Sequence, residues 1–214
     1  MKKIKAITSW NAFPALILLI VFTIIEMIIT GGASFSFFKT FFLTNAPSIC
    51  VAIGVSATIF VAGTDISLGS IVSLVNVVIV TLFGKGVPLA GCVLAGIAAA
   101  VLCGMFNGFV VGVLRVNPLL TTFATSIAFA GIALWIMPYP SGWVDYSLSD
   151  WYSGMTGFIP TSILLVGLLL LVWFIIIRRP TGTHIYALGK NVQSAYVSGI
   201  NVTGIRFMVH TFAG

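Results

Sequence analysis

Apolar residues fill this chain in long blocks, and polar residues are confined to the joins between them. The blocks run approximately Phe13–Thr30, Ala46–Ala62, Ile66–Phe83, Val87–Val113, Pro118–Met137 and Phe158–Ile177, and another begins near Gly204. A helix needs about 20 residues to cross a hydrocarbon core about 30 Å thick, which is close to the length of most of these blocks. The pattern predicts an all-α, polytopic transmembrane helical bundle, a single domain over 1–214 with about six complete spans plus the start of a seventh. The last block is cut off at Gly214, so the expectation is a chain truncated at its C-terminus. The join Gly63–Asp65 is too short for a surface loop, and one of the helices beside it is expected to be broken or re-entrant.

Composition agrees with this pattern. Apolar residues make up 59% of the chain and charged residues 7%, against about 25% charged in soluble domains. The mean hydropathy is +1.18. The net charge of +6 does not point to nucleic acid, because the basic residues form no face and sit at the ends of apolar blocks. With the N-terminus in the cytoplasm, Lys2, Lys3, Lys5, Arg115, Arg178, Arg179, Lys190 and Arg206 fall inside, and only Lys39 and Lys85 fall outside. That is the positive-inside pattern. The start, MKKIKAITSW, resembles a signal peptide, but no small-residue cleavage site follows, so an uncleaved first span is expected. Cys50, Cys92 and Cys103 lie within apolar blocks without metal-ligand spacing and read as small buried hydrophobes.

Two polar stretches stand out. The external one, about 138–157, carries Asp145 and Asp150 with Tyr139, Trp143, Tyr146, Trp151 and Tyr152 at the interface. The cytoplasmic one, about 178–204, reads RRPTGTHIYALGKNVQSAYVSGINVTG and is basic. Within it Gly182 and Gly189 allow turns. Asn191 can cap a short helix, Val192–Val197, which Gly199 would end, with Val192, Ala195 and Tyr196 on one face. A short amphipathic helix in such a place is a docking surface for a soluble partner.

Few residues carry chemistry at membrane depth. Asp65 has two readings. It is a polar element lining a translocation path with Ser67, Asn107, Thr121 and Thr122, or it is a structural carboxylate at a helix start. Gly96, Ala100, Gly104, Gly108 and Gly112 recur at every fourth position and predict one close-packing stripe on the fourth span. Asn107 beside the stripe is a hydrogen-bonding link between helices or a solute ligand. Asn117-Pro118 is a helix start, and the threonines that follow bond their own backbone or line a path. No Walker A motif, HExxH, triad or paired carboxylates occur, so no catalytic site, metal site or nucleotide cofactor is expected in this chain.

Three segments carry a family resemblance. AGTDISLGSIVSL resembles the GGIDLSVGS-type motif of permease subunits of ATP-binding-cassette importers for ribose, xylose, galactose and arabinose. CGMFNGFVVGVLRVNPLLTTFATSIAFAG and TGTHIYALGKNVQSAYVSGINV are similar to two further blocks of that family, in the same order, over roughly Ala62 to Gly214. Thr64 stands where the family has Ile, and Tyr196 replaces the second Ala of the last block. The resemblance implies about ten spans in the complete form, a homodimer or heterodimer of permease subunits in a bacterial cell membrane, and a monosaccharide delivered by an extracytoplasmic sugar-binding protein. It also implies a cytoplasmic ATPase subunit that uses the ATP and docks on Gly182, Tyr186, Ala187, Gly189, Asn191, Ala195, Ser198, Gly199 and Ile200. An ion-coupled secondary transporter is the rival reading. Within the family, a furanose of the autoinducer kind or a nucleoside stays open as substrate.

Overall fold

The computed structural model describes residues 13–29, 35–157 and 159–214. Lys2, Lys3, Lys5 and the rest of the signal-like start, the Thr30 end of the first block, and the Phe158 start of the sixth lie outside the described residues. The chain divides into two compact units, Met1–Asn45 and Ala46–Gly214.

The first unit holds α1 (Phe13–Ile29), an apolar helix with no buried residue, and the opening turns of α2 (Phe35–Ile59). Hydropathy places the start of that helix at Ala46. The structure corrects it by three turns, and Lys39 sits on a helix rather than in a loop. Its surroundings explain this. Phe37, Phe38, Phe41 and Phe42 pair ring to ring along those turns, and a lysine stem can lie along apolar surface with its ammonium directed outward.

The second unit continues with α3 (Leu68–Gly84), α4 (Leu89–Gly108) and α5 (Pro118–Ile136). One π-helical turn, Phe109–Val113, prolongs α4 and closes through the Leu114 amide on the Phe109 carbonyl at 3.1 Å. Arg115, at φ 58°, then takes the chain out of the helix. The Asn117 carboxamide accepts from the Leu119 amide at 2.9 Å with Pro118 in the first turn, so α5 starts as its sequence predicts.

The segment 138–157 is more ordered than a loop. Asp145 caps α6 (Tyr146–Ser153) by accepting from the Ser147 amide at 2.9 Å. A two-residue ribbon, β1 (Met155–Thr156) against β2 (Ile159–Pro160), is antiparallel and is the one departure from all-α structure among the described residues. Next come α7 (Thr161–Arg178), α8 (Pro180–Lys190), α9 (Val192–Val197) and α10 (Val202–Ala213). By length and composition, α2, α4 with its π turn, α5 and α7 can cross a membrane, while α1 and α3 are shorter apolar helices.

Two cores organise the second unit. One joins Leu68, Ile71 and Leu74 of α3, Cys103 of α4, and Phe129 and Ala133 of α5. The other joins Ala57 of α2 and Val61 just beyond it to Ile185 and Leu188 of α8, Ala195 of α9, and Ile205 and Val209 of α10. Outward, α7 exposes Leu164, Leu165, Leu168, Leu170 and Leu171. A surface of that kind belongs against lipid or another apolar partner.

The small residues of α4 serve two neighbours, not one. A Cβ on Gly96 would lie 2.8 Å from Ile79 of α3. On Gly104, Gly108 and Gly112 it would lie 2.7–2.8 Å from the carbonyl oxygens of His210, Phe207 and Thr203. The three glycines thus let the backbone of α10 lie directly on α4.

Candidate functional site

Helix α2 ends at Ile59, and the chain crosses to Leu68 through a break. Ala62 takes a left-handed conformation, φ 54°, and the amides of Val61 and Gly63 both bond to the Thr58 carbonyl at 3.1 Å. Asp65, within this break, is only 1% exposed. Its Oδ1 accepts from the Ser67 amide at 2.9 Å and from the Ser67 hydroxyl at 2.6 Å. Its Oδ2 faces His210 Nδ1 at 3.1 Å and Asn107 Nδ2 at 3.4 Å. Asn107 also donates to the Ser67 hydroxyl at 2.7 Å. With the carboxylate ionised, both of its oxygens accept, and His210 Nδ1 is the donor in that contact. His210 Nε2 and Asn107 Oδ1 have no partner among the described residues.

This cluster is closed to solvent. Asn107, Ser67 and His210 are fully buried. A buried carboxylate is expensive unless it is paired and hydrogen-bonded, and here both oxygens are engaged. The cluster ties the break to α4 and to α10.

The two threonines from α5 diverge. The Thr122 hydroxyl donates to the Thr64 carbonyl at 3.1 Å and accepts from the Ile66 amide at 3.3 Å, so α5 also holds the break. Thr121 is buried, but its hydroxyl has no partner among the described residues. Thr125 bonds the Thr122 carbonyl three residues back. Asp65, Ser67, Asn107 and Thr122 therefore form one site, and Thr121 is not joined to it by a hydrogen bond.

The segment 178–204 is a second structured element. In sequence Gly182 and Gly189 allow turns, but both lie within α8. They are glycines for another reason: a Cβ on Gly182 would collide with the Ile177 carbonyl, and one on Gly189 with the Phe60 carbonyl. Tyr186 packs edge-on against Phe60 with centroids 5.4 Å apart. After α8, the Asn191 side chain accepts from the Ser194 amide at 2.9 Å and starts α9. Gly199, at φ 80°, ends it. The Gly199 amide bonds the Tyr196 carbonyl at 3.0 Å and the Ile200 amide bonds the Ala195 carbonyl at 3.1 Å, the Schellman arrangement. Ser198 bonds the Ser194 carbonyl at 2.8 Å.

The expected face of α9 is corrected in one residue. Ala195 is buried and Val192 packs against the core, whereas Tyr196 is 65% exposed. The core takes the side of α9 that carries Ala195 and leaves Tyr196 and Val197 outward. From α9 the chain passes through the Asn201 cap into α10, whose ninth residue is His210. At 1.5 Å per residue, the docked segment and the Asp65 cluster are separated by about 12 Å of one helix.

The sequence leaves Asp65 to pair, to face water or to accept backbone donors, and does not name His210. The signal is present. The chain has two histidines, and His210 alone stands within an apolar run. No group of three or more His, Cys, Asp or Glu suited to a metal occurs among the described residues.

Residues 36–214 match the family model described as branched-chain amino acid transport system / permease component. Curated relatives include a galactose/methyl galactoside import permease of Treponema pallidum, 32% identical over 76% of this chain and 36% of that protein. The D-allose transport system permease of Escherichia coli is 31% identical over 75% of this chain and 50% of its own length. A ribose import permease of Haemophilus influenzae is 28% identical over 95% of this chain and 64% of its own. The chain thus spans between about a third and two thirds of the length of these relatives. No solved structure matches.

Proposed function

The chain belongs to the branched-chain amino acid transport system permease family, and from that premise we propose that it is part of the membrane permease subunit of an ATP-driven importer of a monosaccharide. The relatives' names, import permeases for galactosides, allose and ribose, support a sugar as cargo. In this reading the sugar arrives from an extracytoplasmic binding protein, a second permease subunit completes the path, and a cytoplasmic ATPase supplies the energy.

One observation carries the reading. The segment 178–204 is folded as two helices, the second capped by Asn191, that pack against the end of α2 and against α10, and α10 leads directly to the buried Asp65 cluster. A partner that moves α8 and α9 also moves α10. His210 then pulls on Asp65, and the break between α2 and α3 shifts. Energy enters as mechanical displacement, which is why the chain needs no nucleotide site. The residues of the segment divide by role. Gly182, Gly189 and Ala195 seat it on the bundle, Asn191, Ser198 and Gly199 shape α9, and the outward side, with Tyr186 half-exposed and Val197 exposed, meets the ATPase. Asp65, Ser67, Asn107 and Thr122 hold the break beside the path rather than bind the sugar directly.

The test is co-purification of the full-length permease from native membranes with assay of the retained ATPase. Gly189→Arg would disturb the fold and docking together, because it drives a side chain into Phe60. Val197, 82% exposed, separates the two effects. Val197→Arg is expected to release the ATPase and abolish ATP-dependent uptake while the permease stays folded. Uptake that ignores ATP and collapses with the proton gradient would defeat the proposal and turn Asp65 and His210 into ion-coupling groups.

A further inference from the structure

A cavity of about 590 Å³ opens where the end of α4 meets α9 and the start of α10. Arg115, Arg206, Gln193, Tyr196, Asn201 and Thr203 contribute its polar lining. The two guanidiniums have no counter-ion among the described residues. The four acidic residues of the chain are Glu26, Asp65, Asp145 and Asp150. None lines the cavity, and the ion pair found among the described residues joins Asp65 to His210. Arg206 Nε is buried without a hydrogen-bond partner. Its Cβ lies against Gly112, where a Cβ would be 3.6 Å away. Gly112 thus brings the start of α10, and Arg206 with it, close against the end of α4 at this wall of the cavity.

Two cations around a cavity of ligand size ask for an anion. A guanidinium presents a planar fork that fits phosphate oxygens in pairs. Val192, Ile200 and Val202 add apolar lining to the same cavity. A free phosphate has no use for such lining, whereas a phospholipid does, because its acyl chains continue beside the phosphate. Basic pockets between helices at a membrane surface suit acidic headgroups. We propose that this cavity is a binding site for the phosphate headgroup of an anionic phospholipid, held by Arg115 and Arg206. Bound there, the headgroup braces the α9–α10 corner against the end of α4. The site does not depend on which solute the permease carries.

The experiment uses the full-length permease exchanged into vesicles of phosphatidylcholine, of phosphatidylcholine with phosphatidylglycerol, and of phosphatidylcholine with inorganic phosphate added. Tm and the phospholipid retained after a detergent wash are read in each. Phosphatidylglycerol is expected to raise Tm and to be retained by the wild type, and Arg115→Gln is expected to weaken that retention roughly fivefold, the effect of about one surface charge. Gln193→Glu, an exposed change that brings a carboxylate to the cavity, is expected to do the same without lowering Tm in phosphatidylcholine. Equal retention by the wild type and both variants overturns the proposal. So does an equal rise in Tm with inorganic phosphate alone. Release of a bound ATPase by both variants with lipid retention unchanged assigns the cavity to protein contact and likewise overturns it.

Discussion

At the scale of single residues, the decisive contact joins Asp65 to His210 at 3.1 Å with both side chains buried. Removing the Asp65 carboxylate leaves several buried donors, the Ser67 amide and hydroxyl and His210 Nδ1 among them, without their acceptor, at about 1–3 kcal/mol for each. Asp65→Ala should therefore lower the unfolding midpoint of the full-length permease sharply. Asn107→Ala removes one weak and one short hydrogen bond and should cost less, about 1–3 kcal/mol. Thermal unfolding in detergent checks both, and equal midpoints for Asp65→Ala and the wild type would show that the pair does not hold the break. That Asp65 must pair, meet water or accept backbone donors is legible in the sequence, because a carboxylate at membrane depth is costly alone. That it meets His210 is not. The pairing spans nearly the whole second unit, and no local rule of period or capping connects a break after α2 with the middle of α10.

Elements are legible where their signals are local. Asn117-Pro118, Asn191 and Gly199 mark helix ends through bonds to residues two to five positions away, and each mark holds. The start of α2 is hidden by Lys39, since a hydropathy window treats a charge as a boundary while the lysine stem does not. Gly182 and Gly189 read as turns because a glycine that permits close approach looks the same in sequence as one that permits a turn. The stripe on α4 is visible in its spacing, but its partners are not. What lies opposite a row of glycines depends on a helix much further along the chain. The geometry makes a graded prediction. Gly108→Ala places a methyl 2.7 Å from the Phe207 carbonyl. Backbone cannot yield as a side chain can, so overpacking of about 1–3 kcal/mol is expected. Gly96→Ala meets the flexible end of Ile79 and should cost less. At Gly131 of α5 a methyl would meet nothing within 4 Å, so Gly131→Ala should be neutral or slightly stabilising. Ranked unfolding midpoints test the series, and a Gly108→Ala midpoint at or above that of Gly131→Ala would contradict close contact between α4 and α10.

At the scale of the whole molecule, the second unit has two unlike ends. One gathers Arg115, Arg206 and α9 around a single cavity. The other sets Trp143 edge-on to Phe83 at 5.2 Å, beside Tyr146, next to the end of α3 and its Lys85. Counting crossings along the sequence assigns the first group of cations to the cytoplasm and Lys85 to the outside, and the helix Leu89–Val113 runs between Lys85 and Arg115. Membrane orientation follows from such a bias in lysine and arginine, which makes it directly testable in cells carrying the full-length permease. Ser149 on α6 and Ser194 on α9 are both exposed. The native thiols Cys50, Cys92 and Cys103 are half-buried or buried and lie within apolar helices, away from a water-soluble reagent. A membrane-impermeant maleimide should therefore label Ser149→Cys in intact cells and Ser194→Cys only after lysis. Labelling of Ser194→Cys in intact cells would place α8 and α9 outside. A cytoplasmic ATPase could not then reach them, and the mechanical route from that segment through α10 to Asp65 would have no source of energy.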